Sequence, residues 1–260
     1  MAAAAKIPVA LQLYSVRHAC AAHDDADMPA VVQRVAEMGY EGIEFAGYHG
    51  RDAGELRKIL DDNGLRCAGS HVGLDTLLGD ELERSIEFHQ ALGNKFLIVP
   101  GLAEEHRSSA AAWAHTAETF NEIAEKLAPH GMRTGYHNHA VEFAPMDGQK
   151  PWDIFFGATR EDVVMQLDVG NAIHGGGDCM EILRKYPGRS GTIHIKEYGG
   201  APEAAVGEGE VDWQELLPLV AETGKTEWYI IEHERNPDTA VEDVGRCIEN
   251  FRRILGGLGL

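Results

Sequence analysis

Eight short runs of β-branched, aromatic and aliphatic residues recur along this chain, each separated from the next by a longer stretch with helical spacing. They are VALQLYSVR (9–17), YEGIEFAGY (40–48), LRCAGSHVG (65–73), KFLIVPG (95–101), MRTGYHNH (132–139), VVMQLDVG (163–170), GTIHIKEY (191–198) and WYIIEHE (228–234). Strand-sized runs that alternate with helices imply parallel pairing, because each crossover returns the chain to the same end of the sheet. The intervening patterns cover 26–40, 52–64, 78–93, 108–131, 151–159, 178–186, 212–224 and 239–255, and several close on helix-stopping residues such as Gly39, Gly93 and Pro129. Eight strands and eight helices predict a single-domain α/β protein, a (β/α)8 TIM barrel. The 260 residues are close to the length of about 250 typical of that architecture. The barrel is expected to occupy 8–260 behind a short tail, 1–7. No GxGxxG follows the first run, which argues against a dinucleotide-binding sheet.

In a closed parallel barrel the C-terminal strand ends meet on one face. Glu142, Asp168, His194 and Glu232 lie at or just beyond the ends of runs five to eight, at intervals of 26, 26 and 38 residues. Three carboxylates and an imidazole converging there suit one divalent metal ion: Mn²⁺, Co²⁺ or Zn²⁺, with Mg²⁺ also admissible. Asp168 precedes a Gly-rich turn, where an aspartate can also cap a helix. His194 and Lys196 share a face by period two, the barrel interior, and burying both is costly unless they are paired or ligating. Glu232 closes an apolar run, with Glu234 on the same face. His137 and His139 share one side of run five, with Glu142 in the loop beyond. Glu44 and His71 lie within runs two and three; each is a candidate for contact with a bound molecule's hydroxyls, with satisfaction of local polar groups as the more common role of such a residue. Glu208 in VGEGEVDW is expected in a loop at the mouth, and Asp212 as the cap of the helix after it. Trp113, Trp152 and Phe143 are expected in the core.

Composition narrows the partners. A formal charge of −19 opposes polyphosphate backbones, so no nucleic-acid partner is expected. No apolar run approaches the roughly 18 residues of a membrane span, and no membrane association is expected. The start MAAAAKIP lacks the apolar segment of a secretory signal, and Cys20, Cys67, Cys179 and Cys247 show no CxxC spacing. Reduced thiols and a cytoplasmic location follow as expectations. A homodimer or homotetramer is the base expectation for assembly.

The phrases LQLYSVR, GYHNHAVEF, QLDVGNA, GRSGTIHIKEY and GEGEVDW, in this order at strand positions, resemble the xylose isomerase-like TIM-barrel superfamily, in particular its sugar phosphate isomerase/epimerase branch. The resemblance spans nearly the whole chain. It implies one divalent metal at the C-terminal mouth, with Asp168, His194 and Glu232 at the last three ligand positions. Many relatives place a glutamate late on strand five, where this chain has His137; Glu142 is taken as the fourth ligand, with His137 as the rival. In dehydratase relatives a histidine two residues further on acts as acid or base, and His139 matches it.

The implied chemistry begins with removal of a proton next to a carbonyl. Glu142, Glu232 and His139 are candidate acid–base groups, and Lys196 is a candidate stabiliser of the resulting enediolate. Proton return gives a sugar isomerase or epimerase acting on a small ketose or polyol ketone, the leading reading. Loss of a β-hydroxyl or glycosyl group gives a dehydratase or lyase on an inosose-type keto-sugar, the alternative. No cluster of Arg or Lys accompanies the glycines of YGGAP (198–202), so a neutral sugar is expected rather than a sugar phosphate.

Overall fold

Each of the eight runs contains a strand: β1 Val9–Gln12, β2 Gly42–Ala46, β3 Arg66–His71, β4 Phe96–Val99, β5 Arg133–His137, β6 Val164–Asp168, β7 Thr192–Ile195 and β8 Trp228–Ile231. Every strand pairs in parallel with its sequence neighbours, and β1 pairs with β8 to close the barrel. The computed structural model describes residues 6–21, 27–223 and 225–260. Most of the expected tail, 1–7, therefore lies outside the described residues.

The helices among the described residues are α1 Arg17–Cys20, α2 Asp27–Glu37, α3 Ala53–Asp62, α4 Glu81–Leu92, α5 Ala110–Leu127, α6 Pro151–Ala158, α7 Val169–His174, α8 Cys179–Lys185, α9 Trp213–Thr223 and α10 Ala240–Leu258. Two of them, α1 and α7, add to the eight expected. The first apolar run extends to residue 17, but β1 stops at Gln12. There the Gln12 side chain accepts the Tyr14 amide at 3.0 Å and starts a 3-10 turn over Leu13–Val16 that leads into α1. Local caps fix several helix starts. Asp52 and Glu55 form a reciprocal capping box on α3, and the Ser109 side chain accepts from Ala112 N on α5.

The barrel interior begins with an apolar floor of Ala10, Ala68, Phe96, Ile98, Val164, Trp228 and Ile230. A much larger apolar shell, including Trp113, Phe120, Tyr136, Phe155, Phe251 and Leu255, packs strands against helices. Trp152 and Phe143 belong to this shell, as expected. Two strand glycines are required by close approach. A Cβ on Gly135 would meet Val164 O at 2.4 Å, and one on Gly69 would meet the Glu44 carboxylate at 2.7 Å. Register shifts between Ile43 and Glu44 where β2 meets β3, next to that glycine. Arg189 ties the loops before β6 to the barrel. Buried at 5% exposure, it donates to Phe156 O and Thr159 Oγ1 at 2.7 Å, Arg160 O at 2.6 Å and Val163 O at 3.1 Å. Among the described residues no helix is long and apolar enough to cross a membrane.

Candidate metal centre

The inward-pointing residues at the ends of β5 to β8 are His137, Asp168, His194 and Glu232. Parallel register sets Asp168 beside His194 and His137 beside Gln166. Each of the four offers one ligand atom, and these atoms all lie within 4.8 Å of one another. All four side chains are buried. His194 Nδ1 is 2.6 Å from Glu232 Oε2 and 3.7 Å from Asp168 Oδ2. Two polar atoms of the cluster, Asp168 Oδ2 and His137 Nδ1, are buried without a hydrogen-bond partner. An unpaired carboxylate oxygen and an unpaired imidazole nitrogen in a dry interior are costly, and a cation satisfies both. Two imidazoles and two carboxylates form a mixed N/O set that fits Mn²⁺, Co²⁺ or Zn²⁺.

Beneath the cluster lies a polar layer that sets its orientation. Glu44, fully buried on β2, accepts from Gln12 Nε2, Gln166 Nε2 and His194 Nε2, each at 2.7 Å. Gln166 Nε2 also donates to Thr192 Oγ1 at 2.9 Å, so its amide oxygen is left to accept from His71 Nε2 at 2.7 Å. The network thus assigns Nε2–H to both His71 and His194. His194 Nδ1 is turned to the cluster, backed by a carboxylate through its other nitrogen, the arrangement that orients histidine ligands. Asn138 clamps β5 to β6, accepting Asp168 N at 2.8 Å and donating to Asp168 O at 3.1 Å. Asp168 fills two roles: Oδ1 accepts Asn171 N at 2.6 Å and caps α7, while Oδ2 faces the cluster.

The electrostatics follow from this packing. Burial pulls the His194 imidazole down, but Glu44 and the bonds to Asp168, Glu232 and Glu44 outweigh it, and the net shift is strongly upward. His137 is pushed well down by burial, helped by His194 and His71, so it presents a lone pair. Burial would raise Glu232, yet Lys196 and then His194 hold it well below the usual carboxylate range. Lys196 Nζ stands 3.3 Å from Glu232 Oε1 and 2.5 Å from Glu234 Oε2. Burial opposes its charge, and Glu232, Asp168 and Glu234 together raise it.

Glu142 does not join the cluster. Its carboxylate accepts the Tyr136 hydroxyl at 2.7 Å and the His139 amide at 2.8 Å, within a 3-10 turn over Val141–Phe143. The strand-five position in the cluster is His137, because it ends β5 facing inward, whereas the turn folds Glu142 back onto the strand. Glu44 lies under the cluster, bonded to Gln12, Gln166 and His194, in the structural role that was the more common of its two expected readings. Glu208 is tied to the last helix, accepting Ala205 N and Asn250 Nδ2 at 3.0 Å and lying 3.4 Å from Arg246. The mouth loop is organised instead by Glu197, which accepts Tyr198 N (3.0 Å), Gly207 N (2.6 Å), Val211 N (3.1 Å) and Trp213 Nε1 (2.9 Å). Asp212 caps α9 through Glu215 N at 3.0 Å.

Above the cluster a cavity of about 580 Å³ opens to solvent, lined by Tyr14, His71, His137, His139, Glu232 and Glu234 among others. That size is in the range of small-ligand sites, roughly 300–1,000 Å³. His71 and His139 stand at the mouth. Tyr14, Gln12, Gln166, Asn138 and Glu197 were not foreseen as site residues.

Comparison with known proteins agrees with this geometry. The family model described as xylose isomerase-like TIM barrel matches residues 32–251. The chain is similar to an inosose dehydratase of Erwinia tasmaniensis, 24% identical over 250 residues that cover 81% of this chain and 83% of that protein. Its fold superposes on a sugar phosphate isomerase/epimerase of Parabacteroides distasonis with TM-score 0.82 at 24% identity, covering 97% and 98% of the two chains. It also superposes on an L-ribulose 3-epimerase with TM-score 0.71 at 14% identity, covering 97% and 96%. The closed parallel barrel, the cluster at its C-terminal mouth and the match over most of the sequence agree, and the chain belongs to the xylose isomerase-like TIM-barrel family.

Proposed function

We propose that this chain is a divalent-metal-dependent lyase that eliminates water, or another β-leaving group, from a neutral keto-polyol or keto-sugar. His137, Asp168, His194 and Glu232 hold the ion. When bound, a divalent cation supplies Lewis-acid polarisation of a substrate carbonyl and its neighbouring oxygen. The observation that carries the reading is the composition of strand five: an imidazole, His137, stands in the cluster, and Glu142 is turned away onto Tyr136.

Epimerisation needs one group to remove a proton and a second, on the opposite face, to return it. With Glu142 withdrawn, the cavity offers Glu232 and Glu234, both held by Lys196, and the histidines His71 and His139. Syn elimination needs a single shuttling group. His139, exposed at the mouth, takes the α-proton; the electron pair forms a C=C bond as the β C–O bond breaks. The same imidazolium returns the proton to the departing hydroxide, which leaves as water. Lys196 places a positive charge beside the oxygen that becomes negative. The similarity to proteins named inosose dehydratase supports this choice of reaction class.

A second reading, an isomerase or epimerase with Glu232 as base, is favoured by one observation: Glu232 lines the cavity and is ionised beside Lys196. The two readings separate in one experiment. Mn²⁺-loaded protein is incubated in D₂O with keto-inositols and ketohexoses and followed by ultraviolet absorbance and NMR. A conjugated carbonyl product and loss of a C–O bond support the lyase. Deuterium gained with every hydroxyl retained supports the isomerase and overturns the lyase. His139→Ala should lower kcat by about 10²-fold or more while metal content is unchanged.

A further inference from the structure

A second cavity adjoins the first. It has a volume of about 370 Å³, and His71, Val72 and Gly73 at the end of β3 line both. Its walls differ in kind from those of the metal centre. Tyr48 and Phe88 are half-buried, with ring centroids 4.6 Å apart, and Phe88 lies 5.4 Å from the buried His89. His89 Nε2 is 3.4 Å from the Tyr48 oxygen, so the polar end of Tyr48 is engaged and its ring is left as wall. Arg84 and Glu81 at the rim are paired at 2.7 Å, so the rim carries one charge of each sign and does not select for an anion. Tyr48 is presented by a turn in which Gly47, His49 and Gly50 all have positive φ, at 84°, 50° and 74°. A non-glycine residue held in the left-handed region costs energy and persists where its surroundings impose it.

We propose that this cavity is a subsite for a flat, uncharged, apolar group carried by the substrate, so that the preferred substrate is a polyol with an aryl or similar substituent rather than a free sugar. The inference rests on the reading that the polyol part docks over the metal centre. The aryl ring lies against Tyr48 and Phe88, and the polyol reaches past His71 to the cluster.

The test compares methyl and phenyl β-D-glucopyranoside by isothermal titration into the Mn²⁺-loaded protein. The variants are Phe88→Ala, which removes a wall, and Ser85→Phe, which fills the cavity. The phenyl glycoside is expected to bind about tenfold more tightly than the methyl glycoside, with the preference lost in both variants and methyl affinity unchanged. Binding of both glycosides with equal affinity overturns the subsite while leaving the polyol reading intact. Binding of the phenyl compound alone, in a Phe88-dependent way, supports the subsite and overturns the polyol docking. A phenyl preference that survives both variants, or no saturable binding of either compound, overturns the proposal.

Discussion

Glu44 is the residue whose replacement most sharply tests how the candidate centre is organised. It carries a full negative charge in the dry interior, held below the usual range although burial opposes this, by His71 and His194. Its two oxygens accept three hydrogen bonds at 2.7 Å, from Gln12, Gln166 and His194. Glu44→Gln keeps the shape and exchanges one acceptor for a donor. If the new amide oxygen still accepts from His194, its NH₂ faces the Gln166 NH₂. Gln166 must then turn over, which sets its own NH₂ against His71 Nε2–H and forces the other tautomer there. Loss of such an outer partner of a metal ligand costs about 10–100-fold in metal affinity, or about 1.4–2.8 kcal/mol. The disturbed hydrogen bonds should lower the stability of the metal-free protein by about 1–3 kcal/mol. Competition with a fluorescent chelator reads the Mn²⁺ affinity, urea denaturation the stability, and ¹⁵N NMR the His71 tautomer. Wild-type Mn²⁺ affinity together with an unchanged His71 tautomer would refute the orienting role of Glu44.

Other consequences follow from the surrounding structure. His89 is held neutral by burial, its pKa lowered to about 4. Because the unfolded histidine takes up a proton near 6.5 and the folded one only near 4, the stability is full above pH 6.5 and is lost as pH falls toward 4, by at most about 3 kcal/mol. His89→Gln should flatten the change in melting temperature between pH 7 and 5, and an identical slope would contradict the assignment. Arg189→Lys should cost about 2–4 kcal/mol in urea denaturation, since one ammonium cannot reach the four acceptors the guanidinium holds; a loss below 1 kcal/mol would be unexpected. Glu197→Ala should cost about 2–4 kcal/mol and speed amide exchange at Gly207 and Val211, whose N–H groups it accepts. Slow exchange at both amides in that variant would show that the loop is held by other contacts.

The barrel was legible because most strands are buried on both faces and read as short apolar runs, with β3 (RCAGSH) the weakest of them, and because parallel crossovers admit few topologies. Asp168, His194 and Glu232 were legible for the same reason: a charged residue that closes such a run has only the mouth to face. Glu142 falls outside the cluster because it lies beyond the strand, where position no longer fixes which way a side chain faces. Period two along β5 sets Gly135 and His137 inward, and a glutamate five residues later is no longer bound by that alternation. The end of β1 is not legible in the sequence because LYSV has the composition of a strand, and only the Gln12 side chain, accepting Tyr14 N, marks the turn. Gln12, Gln166 and Glu44 could not be read as a unit. Each is one polar residue within its own strand, and their meeting depends on the closure of β1, β2 and β6 around one axis.

Elemental analysis after Mn²⁺ reloading and gel filtration tests the site most directly, on the wild-type chain, His137→Ala and Glu142→Gln, each checked for folding by circular dichroism. About one ion per chain is expected for the wild type and for Glu142→Gln, with the ion lost from His137→Ala. Retention by His137→Ala with loss from Glu142→Gln would return the fourth ligand to the loop, and a wild-type chain that holds no ion after reloading would contradict the metal centre itself.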